Sequence, residues 1–330
     1  MCLPYTECSE RAQVALLRKP VLTLLRAHGL ADATVSLAHH AFNTTFRVTT
    51  PNIDAALRVN VNSSKSLSNV RGEVALVNHI LKTGLLNVPP PLPLFHGESV
   101  TSVRVPGFNE PLPVVVYRWV RGRRPQGRHG RSTGLAIGTG LRLAQQAADS
   151  LRELPPDADR PLFREVLMNE PHRLPGTPVF NEALARTNAF VSRLETEPRK
   201  LMHYDLHRGN LLVHKGQITV FDWDDSLWGW PVADAAVSVF HLRGWPKEDL
   251  LQKSFWEGLQ SSPEALGVTK EEFETLVAGR ALCLANALLG IATRGWVEQA
   301  PKHVRAIEKR LASYLRTGVY DPKVAKASDE

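Results

Sequence analysis

The stretch HYDLHRGN at residues 203–210, together with the run VFDWDD at residues 220–225, contains the residues that decide the fold. Between them, two short apolar runs are joined by a Lys-Gly turn, a pattern that predicts a β-hairpin. Asp205 and Asn210 precede the hairpin, and Asp222 follows it, twelve residues after Asn210. Because a hairpin returns the chain to its starting edge, we expect these three polar side chains to meet there.

These residue types suit phosphoryl transfer. That reaction needs a group that orients the acceptor, hard oxygen ligands for Mg²⁺, and cations that face the transferred phosphate. Asp205 can serve as the first group, and one carboxylate with one amide satisfies Mg²⁺, which keeps several waters and also binds the nucleotide. The sequence therefore predicts a magnesium-dependent phosphotransfer site.

The pattern H-x-D-x-x-x-x-N, followed by strand, turn, strand and Asp, resembles the catalytic and metal-binding loops of protein kinases. In detail the sequence resembles the aminoglycoside phosphotransferase and choline kinase group more closely, because Gly229, Pro231 and Asp234 match its Gly-x-Pro-x-x-Asp stretch. The resemblance implies an α+β, protein-kinase-like fold of two lobes. It implies a small N-terminal lobe with an antiparallel sheet, a larger and mostly helical C-terminal lobe, and ATP and Mg²⁺ as cosubstrate and cofactor.

The same resemblance implies roles for five residues of the catalytic region. Asp205 would be the catalytic carboxylate, and Asn210 and Asp222 would bind Mg²⁺. His203 would support the loop by hydrogen bonding. His207 stands where protein kinases often have a lysine directed at the γ-phosphate, and it could equally face solvent.

Three further acids follow the hairpin. Asp234 is expected to anchor the catalytic loop. Asp224 and Asp225 have two open interpretations, a turn or helix cap or a contact with Mg²⁺ or substrate.

The nucleotide is expected in the N-terminal part. The resemblance implies that Arg58, on a predicted strand, binds phosphates through its fork-shaped cation, and that Glu73, on the next helix, holds it. Otherwise both are surface residues that never meet. The loop that should cover the phosphates, residues 39–46, has no glycine, so Asn43 and Thr44 are predicted to supply its donors.

The adenine is expected against the strand at residues 114–119. Backbone groups from Tyr117 to Trp119 are predicted to contact the edge of the base.

Hydrophobic periodicity predicts a lobe at residues 1–120 and a second one at 121–330. The first has helices at 10–29 and 69–81 and strands at 35–50, 53–61, 99–105 and 112–120. The second has helices at 133–154, 180–197, 255–260, 271–294 and 304–314.

Composition restricts the cellular location and the kinds of partner that we expect. The chain has 330 residues, a formal net charge of +7 and three cysteines without a CxxC pair, which favours reduced thiols and a cytoplasmic location. No secretory signal is evident, and the apolar stretch at 281–292 is too short to span a bilayer. The basic stretch at 121–131 has no interleaved aromatic residue, which argues against nucleic-acid binding as a function. Oligomeric state is left open.

Other enzyme classes lack their motifs. GxxxxGK[ST] and HExxH are both absent, which argues against a P-loop kinase and a zinc hydrolase. Two alternatives stay open: a kinase-like nucleotide-binding regulator with weak or no catalysis, and a protein Ser/Thr kinase of the stress-response type. From residue 241 onward, 13 basic and 12 acidic residues disfavour a polycationic acceptor. The expected order is therefore a small hydroxylated metabolite, then an antibiotic, then a protein.

Overall fold

An antiparallel sheet of five strands dominates the N-terminal part of the computed structural model, which describes residues 4–62, 65–126, 130–168 and 170–325. The strands are β1 (Thr34–His40), β2 (Thr44–Thr49), β3 (Asp54–Val59), β4 (Val100–Val103) and β5 (Leu112–Arg118), in the order β1-β2-β3-β5-β4. Helix α1 (Glu10–Ala27) precedes the sheet, and α2 (Leu67–Thr83) connects β3 to β4. The α+β class predicted from the sequence is confirmed.

Alternation along the strands decides which face of this sheet is buried. Phe46 and Val48 of β2 are fully buried, as are Val114 and Val116 of β5, and the residues between them in β2 are partly exposed. Leu17, Val21 and Leu25 of α1 pack against the same apolar cluster. The sheet is thereby held rigid where the nucleotide is expected.

Helix α2 begins with a capping box between Ser66 and Asn69 and ends at Gly84, whose φ of 65° suits a helix C-terminus. Its buried face is apolar at Val70, Leu76, Val77 and Ile80. Glu73 lies on that face and is fully buried. A carboxylate in this position needs a cationic partner.

The rest of the described chain is mostly helical, with two small strand pairs. The helices are α3 (Arg131–Ala148), α4 (Pro178–Arg193), α5 (Pro231–Leu242), α6 (Glu248–Leu259), α7 (Lys270–Gly290), α8 (Arg294–Val297) and α9 (Ala300–Thr317). The strands are β6 (Lys200–Met202), β7 (Leu211–His214), β8 (Gln217–Val220) and β9 (Leu227–Gly229). β6 pairs with β9, and β7 pairs with β8, both antiparallel.

The predicted hairpin is confirmed as β7 and β8. Its turn residues, Lys215 and Gly216, have φ values of 49° and 79°. Two consecutive residues with positive φ match the right-handed twist of the paired strands. The hairpin brings the end of the catalytic loop beside residue 222, since the Phe221 backbone N–H donates to the carbonyl of Asn210 at 3.0 Å.

The sequence patterns did not predict helix α5 or strands β6 and β9, and they overestimated the length of the phosphate loop. α5 is apolar and buried on nearly every side, so it lacks an amphipathic stripe, and the two strands have three residues each. The eight-residue phosphate loop is also shorter than predicted, because His40 and Thr44 already pair across β1 and β2 and leave a turn of residues 41–43.

Two large apolar clusters fill the molecule. One joins α1 to the sheet, and the other joins α2, the hairpin and the C-terminal helices. A lobe boundary near residue 120 remains a prediction, and α2 contributes to the second cluster through Leu76, Val77 and Ile80.

Within the described chain, α7 is the one helix with the length and hydropathy to cross a bilayer, and 61% of its apolar window is buried inside the protein. That burial is typical of a core helix.

Candidate active site

The carboxylate of Asp205 is contacted by four side chains. The Asn210 amide donates to Oδ2 at 2.8 Å, and the His207 Nε2 lies 3.5 Å from the same oxygen. The Arg280 guanidinium donates to Oδ1 at 2.5 Å, with the His241 Nε2 at 3.5 Å. Burial alone would raise the pKa of Asp205, but Arg280 and the two histidines hold it well below its usual range. The carboxylate is therefore an ionised hydrogen-bond acceptor.

Buried hydrogen bonds fix the catalytic loop. His203, only 1% exposed, accepts from the Asp205 backbone N–H at 3.2 Å and lies 3.1 Å from the Phe221 carbonyl. Each ring nitrogen thus has a partner in the neutral form, and burial lowers the pKa of His203 to about 4. Tyr204 has a φ of 60°, and its N–H donates to Asp234 Oδ1 at 2.9 Å. The anchoring contact predicted for Asp234 is confirmed.

Asp234 reaches the loop because Pro231 starts α5. Proline is favoured in the first turn of a helix, where its missing N–H costs nothing. Asp234 lies in that first turn. Ser238, one turn further along α5, donates to the Leu206 carbonyl at 2.7 Å.

The two predicted metal ligands face the same cleft. Asn210 uses its amide nitrogen for the Asp205 carbonyl at 3.0 Å and for the Asp205 carboxylate, which leaves its amide oxygen available. Asp222 has a φ of 64° and a side chain that is 43% exposed. Partial burial of its carboxylate raises the pKa of Asp222 to about 7, and the nearby Asp224 carboxylate acts in the same direction, against the attraction of Arg58. The Asn210 amide and the Asp222 carboxylate both offer hard oxygen donors, so the residues fit Mg²⁺.

Asp205, His207 and His241 also have ligand atoms within 4.8 Å of one another. The Arg280 guanidinium already occupies Asp205 Oδ1 there. A second cation at that carboxylate would meet direct charge repulsion, so this trio is not a metal centre.

Arg58 and Glu73 meet as predicted. Arg58 donates through both terminal nitrogens to Glu73, at 2.5 and 3.1 Å, and it also contacts Asp222 at 3.2 Å and Asp224 at 3.3 Å. Burial would lower the pKa of Arg58, but these carboxylates raise it well above its usual range. Tyr117, a predicted nucleotide residue, donates its hydroxyl to Glu73 at 2.7 Å. A permanently charged arginine is thus held between the sheet and Asp222.

Asp224 links this cluster to the phosphate turn. Its carboxylate accepts from Asn43 at 2.8 Å and lies 3.4 Å from the Asn60 amide. It is 7% exposed and lies in the turn that follows Asp222, where it holds residues of the N-terminal part in place. A contact of Asp224 with Mg²⁺ or substrate remains a prediction. Asp225 is more exposed and faces Lys65 at 3.9 Å.

Several predicted donors are already engaged. The Asn43 amide oxygen accepts from the Val61 N–H at 3.2 Å, and the buried Thr44 hydroxyl lies 2.7 Å from His40. The structure therefore does not present the Thr44 side chain to a phosphate. His207 faces Asp205 rather than solvent, and its Nδ1 accepts from the Gly209 N–H at 2.9 Å.

The backbone expected at the base edge is partly engaged as well. The N–H groups of Arg118 and Trp119 donate to the carbonyls of Pro90 and Asp54, at 2.8 and 2.9 Å. The Trp119 ring packs under Arg47, 4.8 Å from its guanidinium carbon. Backbone N–H groups that donate to the edge of the base must therefore belong to residues other than Arg118 and Trp119.

Four residues of the site were missed from the sequence: Asn60, Arg160, His241 and Arg280. Arg160, 1% exposed, donates to the carbonyls of Ser226 at 2.6 Å and Asn69 at 2.9 Å, and also to that of Asp224. It thereby fixes the turn that follows Asp222. Asn60 could have been found, since it is two residues from Arg58 on a strand. Arg160 and Arg280 carry no local sequence signal.

A network that we call the latch ties the phosphate turn to the end of α7. The Thr293 hydroxyl donates to the Ala41 carbonyl at 2.5 Å and accepts from the Asn62 amide at 2.9 Å. Asn62 accepts from the Ala292 N–H at 2.6 Å. Gln13 of α1, fully buried, donates to the Ala292 carbonyl at 2.8 Å. The latch thus joins three distant parts of the sequence above the cleft.

Comparisons with known proteins show the family of the chain. The model of the phosphotransferase enzyme family matches residues 34–266. Amicoumacin kinase of Bacillus subtilis (strain 168) is 24% identical over 242 residues, which cover 66% of this chain and 66% of that protein.

Two solved structures show the same fold. A microcompartment-associated aminopropanol kinase superposes with a TM-score of 0.70 at 19% identity, covering 92% of this chain and 99% of that one. The amicoumacin kinase hAmiN superposes with a TM-score of 0.66 at 17% identity, covering 83% and 87%. The predicted kinase-like fold is confirmed, and because the family model covers more than half of the sequence, the chain belongs to the phosphotransferase enzyme family.

Proposed function

We propose that this phosphotransferase moves the γ-phosphate of ATP to a hydroxyl group of a small metabolite or antibiotic, with Mg²⁺ as the metal. One observation carries the proposal most directly. Asn210 binds Asp205 through its amide nitrogen, and Asp222 lies in the same cleft beside the buried Arg58–Glu73 pair. The proposal is supported by the proximity of an ionised carboxylate, oxygen ligands and a guanidinium, which are the groups that phosphoryl transfer needs.

Asp205 acts on the acceptor. The acceptor hydroxyl donates its hydrogen bond to the Asp205 carboxylate, which orients the oxygen toward the γ-phosphorus. A new P–O bond forms to that oxygen while the bond from the γ-phosphorus to the β,γ-bridging oxygen breaks, and ADP leaves with the bonding electron pair. The hydroxyl proton passes to Asp205 and then to solvent.

Asn210 and Asp222 would hold Mg²⁺, which screens the phosphate charge when bound. Arg58 would bind the α- and β-phosphates, because it keeps its charge and is already positioned by Glu73. Asn43 would support the turn at residues 41–43 over the phosphates through its bond to Asp224.

The solved relatives are consistent with a small acceptor. hAmiN was solved with the ATP analogue AMP-PNP and Ca²⁺ together with its antibiotic, and another relative is an aminopropanol kinase. We also propose the lobes at residues 1–120 and 121–330. We propose a cytoplasmic location as well, in keeping with three cysteines that form no CxxC pair.

The test is the substitution Asp205→Asn, with Mg²⁺-dependent ATP consumption measured over a panel of hydroxylated acceptors. The carboxamide has nearly the same shape but cannot accept the proton, so we expect turnover to fall roughly 1,000-fold or more. Nucleotide affinity should change by less than about threefold, because Asp205 does not contact the proposed phosphate ligands.

Asp149→Asn is the matched control, since this aspartate is 53% exposed and pairs with Lys200 on the surface. Turnover that survives in the Asp205 variant would remove the proposed role. Tight nucleotide binding by the natural chain without turnover on any acceptor would favour the regulatory alternative.

A further inference from the structure

Two side chains donate hydrogen bonds to the Asp205 carboxylate: Asn210 of the catalytic loop to Oδ2, and Arg280 of α7 to Oδ1. The Nε2 atoms of His207 and His241 lie 3.5 Å from these oxygens, and that of His241 has no hydrogen-bond partner among the described residues. Since each carboxylate oxygen can accept about two hydrogen bonds, Asp205 can accept one more from an acceptor hydroxyl, beside Arg280.

Arg280 is the group with other bonds left to make. Its side chain is only 12% exposed, and its Nε is buried without a hydrogen-bond partner. The bond to Asp205 is the one hydrogen bond that its guanidinium makes within the described residues. The Tyr204 ring lies 5.8 Å from its central carbon. A buried guanidinium with unused donors favours a ligand that brings oxygen acceptors with negative charge.

Helix α7 forms a wall of the cleft that an acceptor would enter. Arg280 lies at Asp205, and Thr293, just beyond the helix, lies at the phosphate turn through the Ala41 carbonyl. Beyond Glu274 this helix has no acidic residue. Asp225, whose charge acts on Arg280, already faces Lys65 at 3.9 Å.

The charges around Asp205 therefore disfavour a cationic head group. An ammonium ion close to the reacting hydroxyl would lie beside Arg280 in a region of low dielectric constant, where repulsion between like charges is strong. A carboxylate or phosphate would instead gain a charge-assisted, two-pronged contact.

We propose that Arg280 is the specificity-determining residue of the acceptor site and that the acceptor is a small hydroxylated acid. Its carboxylate or phosphate binds the guanidinium, while its hydroxyl donates a hydrogen bond to Asp205. This inference rests on the proposed function, because it assigns the second substrate of the same site. The shared chemistry is an oxyanion a few bonds from a primary or secondary hydroxyl.

The experiment compares acceptors that differ in charge. ATP consumption is measured with hydroxypropanoate against aminopropanol, and with glycerate and glycerol phosphate against glycerol. The carboxylates and the phosphate ester distinguish the two sources of negative charge. We expect kcat/KM to be at least about tenfold higher for the anionic member of a pair.

Arg280→Gln should remove this preference by lowering kcat/KM for the anionic acceptor roughly 100-fold, while the KM for ATP stays within about threefold. Arg280→Lys keeps the charge without the fork and should retain part of the preference. The lysine variant can still test the proposal if the glutamine variant does not fold. Arg131→Gln removes the same charge from a surface residue that is 59% exposed, and it should leave the ratio unchanged.

The inference is overturned if the cationic or neutral member is preferred, if the ratio survives in both Arg280 variants, or if no anionic probe is phosphorylated or competes with ATP turnover. The Asp205→Asn variant distinguishes a failure of the proposed function from a failure of the Arg280 proposal. Asp205-dependent phosphorylation of aminopropanol would leave the proposed function standing and reject the role of Arg280.

Discussion

His203 holds the catalytic loop in place and also makes the stability of the protein depend on pH. The ring is buried beside Trp223, with a centroid distance of 4.5 Å, and both nitrogens face backbone groups of the catalytic region. Protonation would place an N–H against the Asp205 backbone N–H, so the folded state favours the neutral ring.

The pKa of His203, about 4 in the folded protein and 6.5 as its usual value, predicts a loss of stability in acid. The unfolded chain binds the proton first, so the stabilising effect is complete above pH 6.5 and disappears as the pH falls toward 4. Between pH 7 and pH 5 the free energy of unfolding should drop by about 2 kcal/mol from this residue alone. Denaturant titrations at the two pH values measure it.

In His203→Gln this part of the pH dependence should be missing, although the variant is less stable at pH 7. The exposed His79→Gln is the control and should keep the drop. An unchanged drop in the His203 variant would mean that other buried groups cause it.

At the scale of elements, the β7–β8 hairpin decides where Asp222 lies. Gly216 has a φ of 79°, and no atom lies within 4 Å of the position that a Cβ would take, so a side chain there meets open space and only the backbone is strained. Gly216→Ala should cost about 1–2 kcal/mol of unfolding free energy. Because the strand leads directly to Asp222, we also expect weaker Mg²⁺–ATP binding, measured by calorimetry.

Gly176→Ala is the matched control. Gly176 also has open space around it but no positive φ, so its substitution should change neither stability nor affinity appreciably. Equal effects of both substitutions would show that the turn conformation is not responsible.

The elements also show what the sequence can predict. The hairpin, the buried strands and the amphipathic helices follow from local patterns, and the spacing from Asn210 to Asp222 locates the metal site. Helix α5 was not predicted because burial on nearly every side removes the periodic pattern of apolar and polar residues. Arg160 and Arg280 were missed for another reason, since their partners are 63 to 91 residues away along the chain and only the tertiary fold brings them together.

At the scale of the whole molecule, the latch connects the phosphate turn to the C-terminal helices. Thr293 is 1% exposed, and its hydroxyl makes two of the bonds. Thr293→Val keeps the shape but removes the bonds of the hydroxyl to the Ala41 carbonyl and the Asn62 amide, which still contact each other at 3.1 Å. We expect a loss of about 0.5–1.5 kcal/mol of stability and faster dissociation of ATP, because the turn is less firmly held.

Hydrogen exchange of the peptide at residues 39–46 and the dissociation rate of ATP measure these effects. Thr187→Val is the matched control, since this buried threonine bonds only the Ala183 carbonyl of its own helix, at 2.8 Å. If exchange at the turn is equal in the two variants, the latch does not restrain it.

The position of the latch and of Arg280 along the chain has a further consequence. Gln13, Arg280 and Thr293 all lie outside the stretch at residues 34–266 that matches the family model, although Arg280 contacts Asp205 and the other two belong to the latch. We therefore expect relatives that share the catalytic loop to differ at these surrounding residues. Exchange of the segment from α7 onward between two such enzymes would be a direct way to transfer acceptor preference while the phosphate chemistry stays the same.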